Sequence, residues 1–252
     1  MNQGNGRVNA VKTVGLALAL GISMSACSAT KSWEEEVLLH DGQKMVIERH
    51  FNLGPATIES TERKELDETI TFTPPGSNSK ITWRTEFNDT TPEPNDLSIQ
   101  LLDVVKGTPY IAARPAGCIG FNKWKRPNPP YIFFKYAGGV WNHISMDEFP
   151  AVLIKINVIV GSPPTDLLKS FYTFEQVNEQ NQDIRAEGYK TIIRKPFAIE
   201  ENRCPNLVRI EGGWLSVDWF TDQPSLDACL KFCTRKKVNT DSCPCRSIFD
   251  GK

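Results

Sequence analysis

One segment of the chain, residues 117–130, combines the residue types that proteins use to bind anionic molecules. Within its sequence, GCIGFNKWKRPNPP, five side chains form a candidate binding loop: Phe121, Lys123, Trp124, Lys125 and Arg126. Tryptophan supplies contact area at little cost in conformational entropy, and arginine presents a planar fork of N–H donors. We expect the loop to contact an anionic sugar, a lipid head group or a partner protein. The alternative is that Trp124 packs back onto the core while the cations point to water.

The chain lacks the short motifs that mark common catalytic sites. It contains no G-x-S-x-G, Walker loop, G-x-G-x-x-G or H-E-x-x-H sequence, and only three histidines: His40, His50 and His143. His143 and Ser145 share one side of a predicted strand, but no orienting acid or oxyanion donor accompanies them. We therefore expect surface histidines and predict no catalytic residue and no cofactor.

The first residues of the chain differ in character from the rest. Arg7 and Lys12 are the only charged residues before an apolar run over 14–22, which is too short to span a bilayer. This pattern indicates a secretory signal. The following Met24-Ser-Ala-Cys27 resembles the lipobox of bacterial lipoproteins, with Met24 where leucine is commonest. The resemblance implies that the thiol of Cys27 is diacylated, that the signal, residues 1–26, is removed, and that the new amino terminus is then acylated, with palmitate as the expected type of chain. An ordinary signal with an incidental cysteine is the alternative.

An acylated Cys27 implies a place in the envelope of a Gram-negative bacterium. In that family an aspartate after the cysteine often directs retention in the inner membrane, so Ser28 favours the outer membrane, facing the periplasm. Two or three acyl chains anchor a protein stably, since each buried methylene contributes about 0.8 kcal/mol. Residues 27–32 form a predicted tether of at most about 17 Å, which keeps the folded body close to the membrane.

The charge balance argues against nucleic acid as a partner. The chain has 29 Lys and Arg residues against 30 Asp and Glu residues, and its pI is about 6.3. No general positive field is therefore available to hold a phosphate backbone.

The remaining cysteines suggest disulfides. Of the seven in the chain, six are left after Cys27, an even number that favours three disulfides in an oxidising compartment. They are Cys118, Cys204, Cys229, Cys233, Cys243 and Cys245. Four thiolates in the tail could instead bind zinc, but C-x3-C with C-x-C is a poor match to zinc-site spacings, so no metal is predicted.

The last four cysteines stand in pairs. Helix start and stop signals over 222–237 place Cys229 and Cys233 on one helical face, and Cys243 and Cys245 share one side of an extended segment. This spacing resembles the cysteine-stabilised helix–strand motif of small secreted peptides. We expect Cys229 to pair with Cys243 and Cys233 with Cys245, with the crossed pairing as the alternative. The two distant cysteines, 118 and 204, are left to join each other.

The candidate site residues must be positioned by strands. The turn sequences of the chain predict where these strands begin and end. Alternating apolar and polar residues flank Asp-Gly, Pro-Pro-Gly, Lys-Gly and Gly-Gly turns. Four hairpins are predicted: 33–40 with 43–51, 69–73 with 80–87, 97–105 with 110–114, and 131–136 with 140–144. The acidic run Glu34-Glu-Glu36 in the first strand is expected to be a solvated edge.

Beyond residue 150 the pattern is mixed. We predict a strand over 154–160 from its β-branched residues. The Ser-Pro-Pro-Thr-Asp sequence at 162–166 then breaks the chain and caps a predicted helix over about 167–184, Gly188 ends that stretch, and a further strand is predicted over 189–193. The predicted fold class is mainly β: an antiparallel meander, sandwich or half-open barrel over 33–203. A small disulfide-stapled α+β subdomain is expected over 204–252.

Two functions are consistent with these features. The favoured one is a lipid-anchored envelope protein that binds or scaffolds near the membrane, with another envelope protein or an anionic glycan or lipid head group as partner. The alternative is a periplasm-facing hydrolase whose residues come from scattered loops. The overall layout resembles uncharacterised lipoproteins of Gram-negative bacteria, a resemblance that implies no activity.

Overall fold

The computed structural model describes residues 29–54, 63–85, 97–182, 190–196 and 204–250. It confirms a mainly β chain, with antiparallel sheets that do not close into a barrel. All four predicted hairpins are present. Their strands are β1 (Ala29–Leu38), β2 (Lys44–Leu53), β3 (Glu65–Phe72), β4 (Ile81–Arg84), β5 (Leu97–Val105), β6 (Thr108–Pro115), β7 (Ile132–Ala137) and β8 (Val140–Ile144).

The strands form two sheets that share one core. The first has the order β4-β3-β2-β1 and is extended by β9 (Phe171–Tyr172), which runs parallel to β1; the second is the meander β5-β6-β7-β8. Inward side chains of both sheets meet in one cluster that includes Val37, Ile47 and Ile70 from the first and Leu102, Ile111 and Ile132 from the second. This arrangement is that of a β-sandwich.

Strand alternation explains an error in the prediction for the acidic run. Successive strand residues point to opposite faces, so Glu34 is exposed whereas Glu35 points inward and is fully buried. The same alternation places Arg49 of β2 and Glu68 of β3 on the core face, and both are buried. The expected solvated edge is therefore wrong for Glu35.

The buried charges form one network, which we call the Arg49 network and which comprises Arg49, Glu35 and Glu68. Arg49 Nη1 donates to Glu35 Oε1 at 3.0 Å, and Nε donates to Glu68 Oε1 at 2.5 Å. Arg49 also donates to the carbonyls of Ile159 at 3.0 Å and Gly161 at 3.3 Å. The guanidinium thereby joins the first sheet to the segment that follows residue 156.

That segment differs from the prediction. No strand covers 154–160 in the described structure. Lys155 makes an isolated bridge with Thr191, where the Ile192 N–H donates to the Ile154 carbonyl, and the described part of the expected strand over 189–193 forms only this bridge. Further along, side chains bond the backbone: the Ile159 N–H donates to Glu35 Oε1 and the Val160 N–H donates to Asn181 Oδ1, both at 3.1 Å. The amide of Asn157 donates to the carbonyls of Leu38 and Leu102 and accepts from the Leu102 N–H, so it joins the two sheets.

The predicted helix over 167–184 is shorter than expected. Helix α2 spans Phe174–Gln180, after a 3-10 turn at Thr165–Leu167 and strand β9. It begins at Thr173 because a capping box with Gln176 satisfies the first free N–H groups. Beyond Asn181, residues 183–189 lie outside the described part of the chain.

The tail has its own small core. A two-stranded sheet, β10 (Leu207–Ile210) with β11 (Gly213–Ser216), precedes helices α3 (Asp218–Thr221), α4 (Leu226–Arg235) and α5 (Cys245–Phe249). Val208, Phe220, Phe232 and Val238 pack around the buried cysteines. Helix α4 confirms the predicted cysteine-bearing helix and begins at Ser225, whose hydroxyl accepts from the Ala228 N–H.

The disulfides correct the preferred pairing within the tail. Cys118 joins Cys204, as expected, with Cα atoms 5.2 Å apart. The other two bonds are Cys229–Cys245 and Cys233–Cys243, so the favoured pairing is wrong and the crossed alternative is right.

The direction of the chain explains the tail pairing. After α4 the chain turns back, so the first returning cysteine, Cys243, meets the later helix residue Cys233. The second, Cys245, is not in an extended segment but begins α5, and it reaches Cys229 one helical turn earlier. The sulfur atoms of residues 233, 243 and 245 lie within 4.8 Å of one another, but all are in disulfides and do not offer the thiolates that zinc binds.

We predict that Arg49→Ala lowers the free energy of unfolding by about 3–5 kcal/mol, because it leaves two buried carboxylates without their cation. Urea unfolding followed by tryptophan fluorescence measures the change. The control is Lys80→Ala, which removes the exposed 3.0 Å ion pair with Glu48 and should cost about 1 kcal/mol or less. Equal effects of the two substitutions would contradict a structural role for the Arg49 network.

Candidate functional site

The predicted binding loop begins as a helix rather than a loop. Helix α1 spans Gly117–Lys123, and the chain leaves it through Trp124 into Lys125 and Arg126, whose φ angles are 58° and 54°. The left-handed region costs a non-glycine residue about 1–2 kcal/mol. Two such residues in succession require support from the surrounding structure.

Phe121 and Arg126 provide part of that support. The Arg126 guanidinium lies 4.9 Å from the Phe121 ring centre and donates to the carbonyl of Cys204 at 3.1 Å. Asn122 donates to the Pro205 carbonyl at 2.9 Å and accepts from the Leu207 N–H at 3.0 Å. Together with the Cys118–Cys204 disulfide, these contacts fasten α1 to the tail. Phe121 and Arg126 therefore hold the loop in place and do not line the groove beside it.

The other three predicted residues line that groove, which has a volume of about 650 Å³. We call it the Trp124 groove. Its walls come from α1, the turn after it, β7 and the end of β8, and the principal side chains are Lys123, Trp124, Lys125, Tyr131, His143 and Met146. Sequence reasoning missed Tyr131, which directly follows the predicted segment, and His143, which approaches the loop only through the β7–β8 pairing.

Trp124 packs onto the core, as one of the two interpretations of the sequence expects, and it also borders the groove. Its ring packs edge-on against Phe134, with ring centres 6.2 Å apart, and against His143 at 5.8 Å. It is therefore partly packed on the core, and it also forms part of the groove wall. His143 stands on the exposed face of β8 beside it.

The charged side chains among the described residues that line the groove are those of two lysines. Lys123 is half-buried and Lys125 is exposed, and none of the described residues that line the groove is Asp or Glu. Apolar and aromatic walls with a few charged groups are typical of small-ligand sites. The groove is suited to a ligand that carries negative charge and an apolar or ring-shaped face.

A second, larger cavity lies where β1 begins. It has a volume of about 1040 Å³, and its wall includes Lys31, Phe51, Leu53, Glu65, Glu68 and Ser162. We call it the β1 cavity. Sequence reasoning did not find it, because its residues come from segments far apart in the chain. The available signal was one charged residue at an inward position in each of three neighbouring strands: Glu35, Arg49 and Glu68.

Glu68 connects this cavity to the Arg49 network. Burial raises the pKa of Glu68 to about 7, against the opposing attraction of the Arg49 guanidinium. Glu35 and Glu65 add repulsion that raises the pKa further. A carboxyl group beside the cavity therefore changes its protonation close to neutral pH.

His40 and Asp103 form a separate contact between the sheets. The backbone N–H of His40 donates to Asp103 Oδ2 at 2.8 Å, and Nδ1 lies 2.7 Å from Oδ1. Burial raises the pKa of Asp103, while the hydrogen bonds from His40 oppose that rise. Asp103 is buried, and neither residue lines the two cavities described above, so this pair serves to hold the β1–β2 turn against β5.

Comparisons with known proteins give no relative for this fold or these sites. No protein-family model matches the chain, and the searches of curated proteins and of solved structures return no match. Among the described residues, no helix has the length and apolar character needed to cross a membrane. The predicted signal, residues 1–26, and Cys27 lie outside the described residues.

We predict that Glu68 makes the protein less stable as pH rises through neutrality. Its pKa of about 7 in the folded state exceeds the ordinary value of 4.5, so the folded state binds the proton more tightly. This contribution is complete below about pH 4.5 and is lost as pH rises through about 7.

Urea unfolding between pH 4.5 and 8 of the wild type and Glu68→Gln tests the linkage, because carboxyl groups common to both proteins cancel in the difference. The stability of the wild type relative to Glu68→Gln should fall with rising pH. A constant difference would show that Glu68 does not titrate in this range.

Proposed function

We propose that the protein is a lipid-anchored envelope protein that binds the anionic sugar of a glycan or of a lipid head group in the Trp124 groove. The observation that carries the proposal is the pair of lysines, Lys123 and Lys125, beside aromatic walls in a groove without described acidic residues. Sugars present both polar groups and apolar ring faces, so such a wall suits them.

The rigidity of the groove supports this function. The helix that bears Lys123 is tied to the tail by a disulfide, and Arg126 holds the left-handed turn through the Cys204 carbonyl. A site that is ordered before binding loses little entropy when the ligand arrives. The volume of about 650 Å³ lies in the range of small-ligand pockets, roughly 300–1,000 Å³.

The proposed anchor is the lipid on Cys27, with the outer membrane as the proposed location and the periplasm as the space faced. Strand β1 begins at Ala29, where Ala29 pairs with Leu53, so four residues of the predicted tether belong to the sheet. An acylated Cys27 would then stand two residues from a strand. This short connection supports a body held against the membrane surface, where glycans and head groups are concentrated.

The test is a titration of the full chain, processed as in the cell and kept in detergent, with three probes. Oligogalacturonate represents an anionic glycan, lipid A micelles represent a phosphorylated sugar lipid, and maltoheptaose is the neutral comparison. We predict that an anionic probe binds and that Lys123→Gln with Lys125→Gln weakens binding at least about tenfold. A charge-assisted hydrogen bond contributes roughly 1.5–3 kcal/mol, and 1.4 kcal/mol corresponds to a factor of ten.

The matched control is Lys80→Gln with Lys231→Gln, which removes two lysines that are 66% and 77% exposed and lie outside the groove. It should leave the affinity unchanged. The anionic probe that binds more tightly identifies the source of the ligand. Failure of both anionic probes to bind, or equal weakening by the two double variants, would overturn the groove as the binding site, and the second result would indicate a general charge effect.

A further inference from the structure

Three polar side chains meet on the wall of the β1 cavity. Lys31 Nζ donates to Ser162 Oγ at 2.9 Å, and Ser162 Oγ donates to Glu65 Oε1 through a short hydrogen bond. Lys31 Nζ also lies 3.9 Å from Glu65 Oε1. A hydroxyl group is thus held between a carboxylate and an ammonium group at the edge of a cavity of about 1040 Å³.

This arrangement has the parts that nucleophilic catalysis needs. A serine hydroxyl becomes a nucleophile when a neighbouring base within hydrogen-bond reach accepts its proton, and Glu65 is placed to do so. Lys31 Nζ lies 2.9 Å from Ser162 Oγ, so its charge stabilises negative charge that develops on this oxygen and beside it, where the oxygen of an attacked carbonyl would lie.

The backbone that carries Ser162 is held in place by buried groups. Arg49 donates to the carbonyls of Ile159 and Gly161, and Glu35 Oε1 accepts from the Ile159 N–H at 3.1 Å. Lys31 also donates to the Pro163 carbonyl at 3.2 Å, which holds the turn from its other side. A reactive group needs such support to keep its geometry. The Arg49 network therefore positions Ser162 without contacting the reacting atoms.

The walls of the cavity indicate the kind of substrate. Phe51, Leu53 and Leu97 provide apolar lining, and Lys31, Arg63 and Lys64 place cations along it. An apolar acyl group fits the first set of side chains. Esters also release their alcohol more readily than amides release an amine, which suits a carboxylate as the base.

We propose that Ser162 is the nucleophile of an esterase site in the β1 cavity, with Glu65 as general base and Lys31 as the group that stabilises the oxyanion. This activity is additional to ligand binding in the Trp124 groove and uses none of the groove residues. Its substrate class is carboxylic esters with an apolar acyl group.

The reaction balances with water as the only co-substrate. Ser162 Oγ attacks the ester carbonyl carbon and its proton passes to Glu65, while the carbonyl oxygen takes the negative charge beside Lys31. The bond to the leaving alcohol then breaks, and the alcohol oxygen takes the proton from Glu65. Water attacks the acyl-serine, Glu65 accepts its proton, and that proton returns to Ser162 Oγ as the carboxylic acid leaves.

A fluorophosphonate probe tests the proposal, because it phosphonylates activated serines and peptide mass spectrometry identifies the labelled residue. The structure offers an internal control: Ser145 Oγ donates to Glu148 Oε2 at 3.0 Å on an exposed turn outside the β1 cavity. In the full-length protein we expect labelling at Ser162 and none at Ser145. Glu65→Gln should slow labelling about 100-fold, as loss of a general base does.

Hydrolysis of p-nitrophenyl butyrate is the second readout. It should be lost in Ser162→Ala and unchanged in Ser145→Ala and in the Lys80→Gln, Lys231→Gln variant, whose exposed lysines lie outside the β1 cavity. Absence of labelling at Ser162 in the wild type would overturn the proposal. So would equal labelling of Ser145 and Ser162, or an undiminished labelling rate in a Glu65→Gln protein that keeps its thermal unfolding midpoint.

Discussion

The buried guanidinium of Arg49 is the interaction on which this structure depends most. It lies among Glu35, Glu68 and two backbone carbonyls, and it stacks 4.9 Å from the ring centre of Trp33. Burial lowers the pKa of Arg49, but the charges of Glu68 and Glu35 outweigh that effect and raise it. The network joins β1, β2 and β3 to the irregular segment after residue 156, and it thereby sets the wall of the β1 cavity. Apolar side chains alone would pack these strands together, but they would not fix the backbone of that irregular segment in one position.

Features encoded by neighbouring residues could be predicted from the sequence. The four hairpins were correct because each turn sequence stands between alternating strands. The burial of Glu35 was missed, since three acidic residues in a row suggest a solvated edge, although the same alternation places the middle one inward. The segment over 154–160 was predicted as a strand because of its β-branched residues. Its backbone from Val158 to Val160 is instead bonded by the side chains of Glu35, Arg49 and Asn181, the first two of which lie 124 and 110 positions away in the chain.

The same holds for the sites: residues that are neighbours in the chain could be predicted, and residues that only the fold brings together could not. Lys123, Trp124 and Lys125 are adjacent in the chain, so their composition pointed to the groove before its shape was known. Phe121 and Arg126 belong to the same segment but serve as supports: the Arg126 guanidinium lies over the Phe121 ring and donates to the Cys204 carbonyl, which comes from the tail. The cluster in the β1 cavity could not be predicted, since Lys31 and Ser162 are 131 positions apart in the chain. Disulfide pairing in the tail likewise followed from the chain reversal after α4, which spacing alone does not specify.

The two proposals together place a binding groove and an esterase site on one body held at a membrane, and the claim that places this body there is the lipid on Cys27. The most direct measurement is the intact mass and N-terminal peptide of the protein extracted from the membranes of cells that produce it. We predict a chain that begins at Cys27 and carries two ester-linked acyl chains and one amide-linked acyl chain. A chain with an unmodified Cys27, or one whose N-terminus lies at another residue, would contradict the lipid anchor.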